Sequence, residues 1–238
     1  MGVFWGAQKW WLKKQETGGI VTDGLVLNFD AGNPYSYSGS GTTWYDLSDN
    51  NNNGTLINGV SYNSSNLGSL VFNGTNQYGT IRYNSKFHLS ADYALEAWFK
   101  SSSFSNPFAL ISKDTYGENY DWGIVINSNT DITIYSSATA YYISATVPEL
   151  QQDTWYNVII TQISGVTKIY LNAVEYASGN LSLSNDSRSY VTLGCVGWNN
   201  PTWFIQGDIS VLRVYKNKGL TQQEVTQNYN ALKGRYGL

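Results

Sequence analysis

From Leu25 to Tyr215 the sequence is a succession of short apolar runs broken by Gly and Asn, about one run per dozen residues, with no helical stripe between them. That rhythm leaves room for strands and tight turns. It leaves no room for the crossover helices a parallel sheet requires, so a βαβ architecture is excluded. The clearest run is Tyr93 to Lys100, where Tyr93, Leu95, Ala97 and Phe99 point one way and Glu96, Trp98 and Lys100 the other. Asn53-Gly54, Asn58-Gly59 and Asn73-Gly74 are turn signals, because both residue types tolerate positive φ. The expected fold is all-β, a two-sheet antiparallel sandwich.

One stretch breaks the rhythm and closes it. In Phe204 to Tyr215, Ile205, Ile209 and Val211 share one face while Leu212 and Val214 fall on the other. Such a change of phase needs a β-bulge or burial of both faces. A short helix is expected directly after it. Thr221 and Glu224 make a capping box, Leu220 and Val225 a hydrophobic staple, and Val225, Tyr229 and Leu232 one stripe, with Gly234 as the C′ residue.

Composition narrows the partners. The net charge is −3 and no basic stripe is present, so nucleic acid is not an expected partner. No apolar run approaches the roughly 20 residues that span a bilayer, so a membrane is not expected either. Cys195 is the sole cysteine, which excludes an internal disulfide and a cysteine zinc cluster. Residues 1–23 stand apart from the sandwich, which is expected over 24–238. The segment is aromatic and basic, and Phe4, Trp5, Lys9, Trp10, Trp11 and Leu12 are candidates to dock on a partner protein.

Several blocks carry a resemblance to a known family. They are Gly24-Leu-Val-Leu-Asn-Phe-Asp, Ser69-Leu-Val-Phe-Asn-Gly-Thr-Asn-Gln-Tyr, Ala94-Leu-Glu-Ala-Trp-Phe-Lys, Trp155-Tyr-Asn-Val, Lys168-Ile-Tyr-Leu-Asn and the closing stretch from Gly207. In that order they resemble laminin-G-like domains of the concanavalin A-like lectin/glucanase superfamily, in the version common in tailed-phage structural proteins. The resemblance implies a jelly roll that binds through loops at the sheet rims, and a virion location. It also implies a Ca²⁺ ion in many members. Asp30, Asn73, Asn76 and Asp208 are the candidate ligands here. Asn73 and Gln77 stand where the family usually has Asp, so the same aspartates can equally be turn caps.

Glycoside hydrolysis needs two carboxylates facing one bond, and no strand carries the alternating acidic run that would supply them. A non-enzyme is expected. The loop Gly197 to Trp203 instead combines aromatic faces with amides, the chemistry that suits sugars. Trp198, Asn199, Asn200 and Trp203 are candidate carbohydrate contacts, joined by Tyr116, Asn119 and Tyr120 from a second loop of the same type. The alternative is that the tryptophans plug the sandwich edge. Two functions follow: a virion decoration protein docked on other virion proteins through residues 1–22, or an adhesin for host-surface glycans. A homo-oligomer is compatible with both.

Overall fold

The computed structural model describes residues 19–89, 91–114, 120–136, 141–183, 190–197 and 200–238. In chain order the strands are β1 Leu25–Asp30, β2 Thr43–Trp44, β3 Gly54–Ile57, β4 Ser61–Asn63, β5 Ser69–Asn73, β6 Tyr78–Ile81, β7 Tyr93–Ser101 and β8 Phe108–Asp114. They continue with β9 Tyr120–Ser128, β10 Asp131–Ser136, β11 Tyr141–Thr146, β12 Trp155–Ile163, β13 Val166–Leu171, β14 Val174–Asn180, β15 Tyr190–Leu193 and β16 Gln206–Lys216. Helix α1 follows at Gln222–Leu232. The expected all-β sandwich is what forms. One antiparallel sheet runs β14-β13-β12-β7-β16-β5-β4, with β1 also on β16, and the other runs β11-β10-β9-β8-β15-β6-β3-β2.

Strand β16 is the seam of the first sheet. One edge pairs with β7 along its length, and the other pairs first with β5 and then with β1. The register against β7 slips between Ile209 and Val211, which is the bulge the apolar pattern demanded. The bulge reverses one assignment made from the pattern. Ile209, Leu212 and Val214 all face the inter-sheet core, and Val211 lies on the outer face with Trp98 and Tyr236. The turns β12–β13 and β13–β14 are two-residue hairpins. Ser164-Gly165 and Asn172-Ala173 have φ of 51° and 85°, and 49° and 65°, the paired positive values of a type I′ turn. An Ala at such a position gives no sequence signal, so β14 was not anticipated.

The space between the sheets is filled by the inward residues of both, among them Phe29, Trp44, Phe99, Trp122 and Ile160. The outer face of the first sheet is buried too over its central strands β7, β12 and β16, beneath α1 and the C-terminal tail. There Glu96 Oε1 accepts from Arg213 Nη1 (3.2 Å) and Asn157 Nδ2 (3.2 Å), while Oε2 accepts from Asn228 Nδ2 of α1 (2.8 Å). Arg213 Nε donates to Asn28 Oδ1 at 3.0 Å. Burial alone would lower the Arg213 pKa, and Glu96 reverses it, so the guanidinium is held above its ordinary value. Trp98 is stacked by Tyr236 at 4.3 Å and by Tyr229 at 5.7 Å.

The capping box forms as expected, with Thr221 Oγ1 accepting from Glu224 N and Glu224 Oε2 from Thr221 N. Leu220 and Val225 are buried together with Val21. The α-helix ends at Leu232 with Lys233 as its C-cap, so Gly234 falls at C′ as expected, but without the left-handed backbone. The chain tightens into a 3₁₀ turn over Lys233–Tyr236, and Gly237 takes the left-handed position at φ 75°. Ile20 and Val21, counted with the N-terminal arm from sequence, are buried, and Val21 N donates to Asn228 Oδ1 at 2.8 Å.

Two stability tests follow. Glu96→Gln keeps the shape but leaves Arg213 buried without its counter-charge, and the expected loss is about 3 kcal/mol. It reads as a lower urea midpoint at unchanged m-value. For Glu224, burial pushes the pKa up, but hydrogen bonds from Lys218 and Thr221 outweigh it and hold the carboxyl below its usual range. A depressed folded-state pKa contributes stability above the unfolded value and loses it as pH falls through the folded one. Glu224→Gln preserves the cap geometry without the charge. The stability gap between wild type and variant should therefore close as pH falls from neutral through and below the ordinary carboxylate range, measured by thermal unfolding.

Candidate functional site

Three loops meet at one rim of the sandwich. The β5–β6 turn is built on Asn73, whose Oδ1 accepts from the backbone N–H of Thr75, Asn76 and Gln77 at 3.0, 3.2 and 3.2 Å. The β7–β8 loop is pinned to the start of β16, where Ser102 N donates to Gln206 O at 2.9 Å and Ser101 Oγ donates to the same oxygen at 3.1 Å. The β15–β16 loop is closed by reciprocal Val196–Thr202 backbone bonds of 2.9 and 2.8 Å. Between these loops lies a pocket of about 320 Å³, lined by Ser103, Asn106, Pro107, Trp203, Phe204 and Gln206 together with Gly74 and Phe108.

Trp203 is the wall of this pocket. Its backbone sits at φ 54°, a left-handed conformation that costs a bulky residue on the order of 1–3 kcal/mol. The conformation is held by the Thr202 bridge on one side and by Ala109 N donating to Trp203 O at 3.0 Å on the other. The half-buried indole has a second neighbour set beyond the pocket. There an apolar notch of about 40 Å³ is lined by Gly123, Val125, Tyr135 and Val196. The Trp203 and Tyr135 ring centres are 6.1 Å apart.

A family model described as the concanavalin A-like lectin/glucanases superfamily (Laminin_G_3) matches residues 73–226. The chain belongs to this superfamily. No curated protein matches the sequence. Among solved structures, Trypanosoma rangeli sialidase superposes with a TM-score of 0.70 at 15% identity, covering 96% of this chain and 38% of that one. This superfamily member thus spans well under half the sialidase's length. Domain 4 of AbnA, a GH43 extracellular arabinanase from Geobacillus stearothermophilus solved with arabinotriose, gives 0.64 at 19% identity, covering 87% of this chain and 98% of that domain. At these identities the likeness is one of fold.

Of the sugar contacts expected from sequence, the structure brings Trp203 to the pocket, and Asn200 is exposed three residues before it. Trp198, Asn199, Tyr116 and Asn119 lie outside the described residues, and Tyr120 opens β9 by pairing with Asp114. The docking candidates Phe4, Trp5, Lys9, Trp10, Trp11 and Leu12 also lie outside them. The four calcium candidates do not form an oxygen cage. Asp30 Oδ1 accepts from Arg235 Nη1 (2.6 Å) and Gly32 N (2.9 Å). Asp208 takes the Ser69 hydroxyl at 2.7 Å and faces Lys100 Nζ at 3.5 Å. Asn73 and Asn76 hydrogen-bond to each other within their turn. As placed, these groups do not fit a hard cation, because cationic side chains already neutralise both carboxylates.

Asn106, Phe204 and Gln206 were not anticipated, since a pocket assembled from three loops leaves no local pattern. Tyr135 and Tyr142 did leave one. Each alternates out of phase with buried neighbours, Ile132 and Ile134 in β10 and Ala145 in β11. Because Asn tolerates the left-handed backbone that strains Trp, Trp203→Asn should unfold within about 1 kcal/mol of the wild type. By contrast, Trp122→Ala in the core should cost roughly 3–5 kcal/mol. Urea titration of the two variants checks the difference.

Proposed function

We propose that this protein is a carbohydrate-binding module that holds a sugar in the rim pocket against Trp203. The observation that carries the reading is the strained indole. A large aromatic ring is kept in an unfavourable backbone conformation at the wall of a pocket, where relaxation would remove it. An aromatic face stacks on the C–H surface of a pyranose or furanose. Around it, Asn106 and Gln206 supply amides that both donate and accept, and Ser103 adds a hydroxyl. That is the polar set that fixes sugar hydroxyls within an apolar frame.

Superfamily membership supports the reading. So do the neighbours solved with sugars, an arabinanase domain with arabinotriose and a sialidase with sialic acid. Binding without hydrolysis is proposed because the pocket's lining among the described residues contains no carboxylate, and glycoside hydrolysis in most families needs a pair. The virion setting implied by the sequence resemblance is carried by no observation on the described residues, so the reading is the binding module alone.

The test is Trp203→Ala on a glycan array, followed by calorimetry on the saccharides that bind the wild type. Affinity should fall at least about tenfold while the circular dichroism spectrum is unchanged. A folded variant with wild-type affinity for every bound glycan would refute the pocket.

A further inference from the structure

The rim pocket is one end of a longer surface. Trp203 lies over β8 and β9, where its carbonyl is bonded to Ala109 and its ring flanks Gly123 and Val125. Tyr135 follows on β10 and Tyr142 on β11, directly paired across the ladder. The Trp203–Tyr135 and Tyr135–Tyr142 ring centres are each 6.1 Å apart, so three aromatic rings step across the strands from the pocket to the edge of the second sheet. Tyr142 is 62% exposed, the far end of the row open to solvent.

The middle ring is held in place. Tyr135 OH donates to Asn127 Oδ1 at 3.0 Å, and Asn127 Nδ2 donates to Thr133 Oγ1 at 2.8 Å. The hydroxyls of Thr133 and Ser144 both donate to Asp131. A ring locked this way loses little freedom on binding. Between Trp203 and Tyr135 the strand carries Gly123, opposite Tyr135 in the ladder. A Cβ there would come within 3.0 Å of Ser112 Cβ. The glycine makes room for β8 beneath the indole.

We propose that the ligand is a neutral, linear oligosaccharide of several residues, laid from the rim pocket over Trp203, Tyr135 and Tyr142. This rests on the glycan-binding reading and extends it. A row of separate rings at this spacing, on the scale of one sugar step each, serves a chain, whereas a lone terminal sugar needs only the pocket. Adjacent ring planes differ by 48° at both steps, so no flat crystalline face can stack on all three. Among the described residues, the charge bonded into the network beneath Tyr135 is Asp131, an anion, and Lys113 of β8 is buried and paired with Asp121, so neither offers a cation to an anionic sugar.

The test titrates the wild type, Tyr142→Ala and Trp203→Ala with neutral arabino-, xylo-, manno-, gluco- and chito-oligosaccharides and with anionic oligogalacturonides, each of one to six residues, by calorimetry. In the series that binds, wild-type affinity should rise at least about tenfold between disaccharide and pentasaccharide. Tyr142→Ala should weaken the long ligands by about five- to tenfold and leave the disaccharide unchanged. Trp203→Ala should weaken every length. Affinity independent of length, equal effects of Tyr142→Ala on all lengths, no effect of it on any, or binding confined to charged sugars would each overturn the extended row. If Trp203→Ala still weakens binding in those cases, the pocket stands. Unchanged affinities in Trp203→Ala would remove the pocket reading itself.

Discussion

A carboxylate and a guanidinium buried under a helix must be paired and hydrogen-bonded. Glu96 and Arg213 achieve this by recruiting one group from nearly every element around them. Asn28 comes from β1, Asn157 from β12 and Asn228 from α1. Asn228 then reaches the Tyr215 hydroxyl and, through its oxygen, the backbone of Val21, while Tyr215 OH donates to Val21 O. Burial, reinforced by the Glu96 charge, pushes the Tyr215 hydroxyl well above its ordinary range, so it remains a neutral donor. The lid over the first sheet is therefore fixed by polar satisfaction as much as by the Trp98 stack.

That lid has a consequence for function. With the outer face of the first sheet covered over β7, β12 and β16 by α1 and the tail, the rims and the exposed part of the second sheet's outer face are open to recognition. The candidate pocket sits where both are available. It stands at the start of β16, whose backbone is tied to the β7–β8 loop through Gln206. The strand that seams the structural half of the molecule thus also aims the loop bearing Trp203. Rigid strands carry the site, and the strain at Trp203 is borne by bonds to Ala109 and Val196 that belong to the sheet and its adjoining loop.

Much of the fold was legible because each face of a strand meets one environment. The alternation of Tyr93 to Lys100 put the right residues inward, and the broken phase after Ile209 announced a bulge. It could not announce on which side of the bulge Val211 would fall, because a bulge shifts the alternation by a residue at a place set by the partner strand. The helix start was legible through its capping box, a local interaction. Its end was legible in position but not in form, because Gly237 rather than Gly234 took the left-handed turn once Tyr236 had stacked on Trp98. The aspartates at Asp30 and Asp208 illustrate the same limit: their partners Arg235 and Lys100 are distant in sequence, so a metal reading and an ion-pair reading look alike.

The sequence by itself determined the elements: strands from period two, turns from Asn and Gly, a capped helix at the end, and an aromatic loop near Trp203. These depend on residues a few positions apart, whose spacing is written in the chain. Tertiary structure decided what those elements face. Only folding brought Asn106, Gln206 and Trp203 around one pocket, set Tyr135 and Tyr142 in line with the indole, and matched Glu96 with Arg213. Each of these depends on strand register between segments far apart in sequence, and register is set by the packing of the whole sandwich.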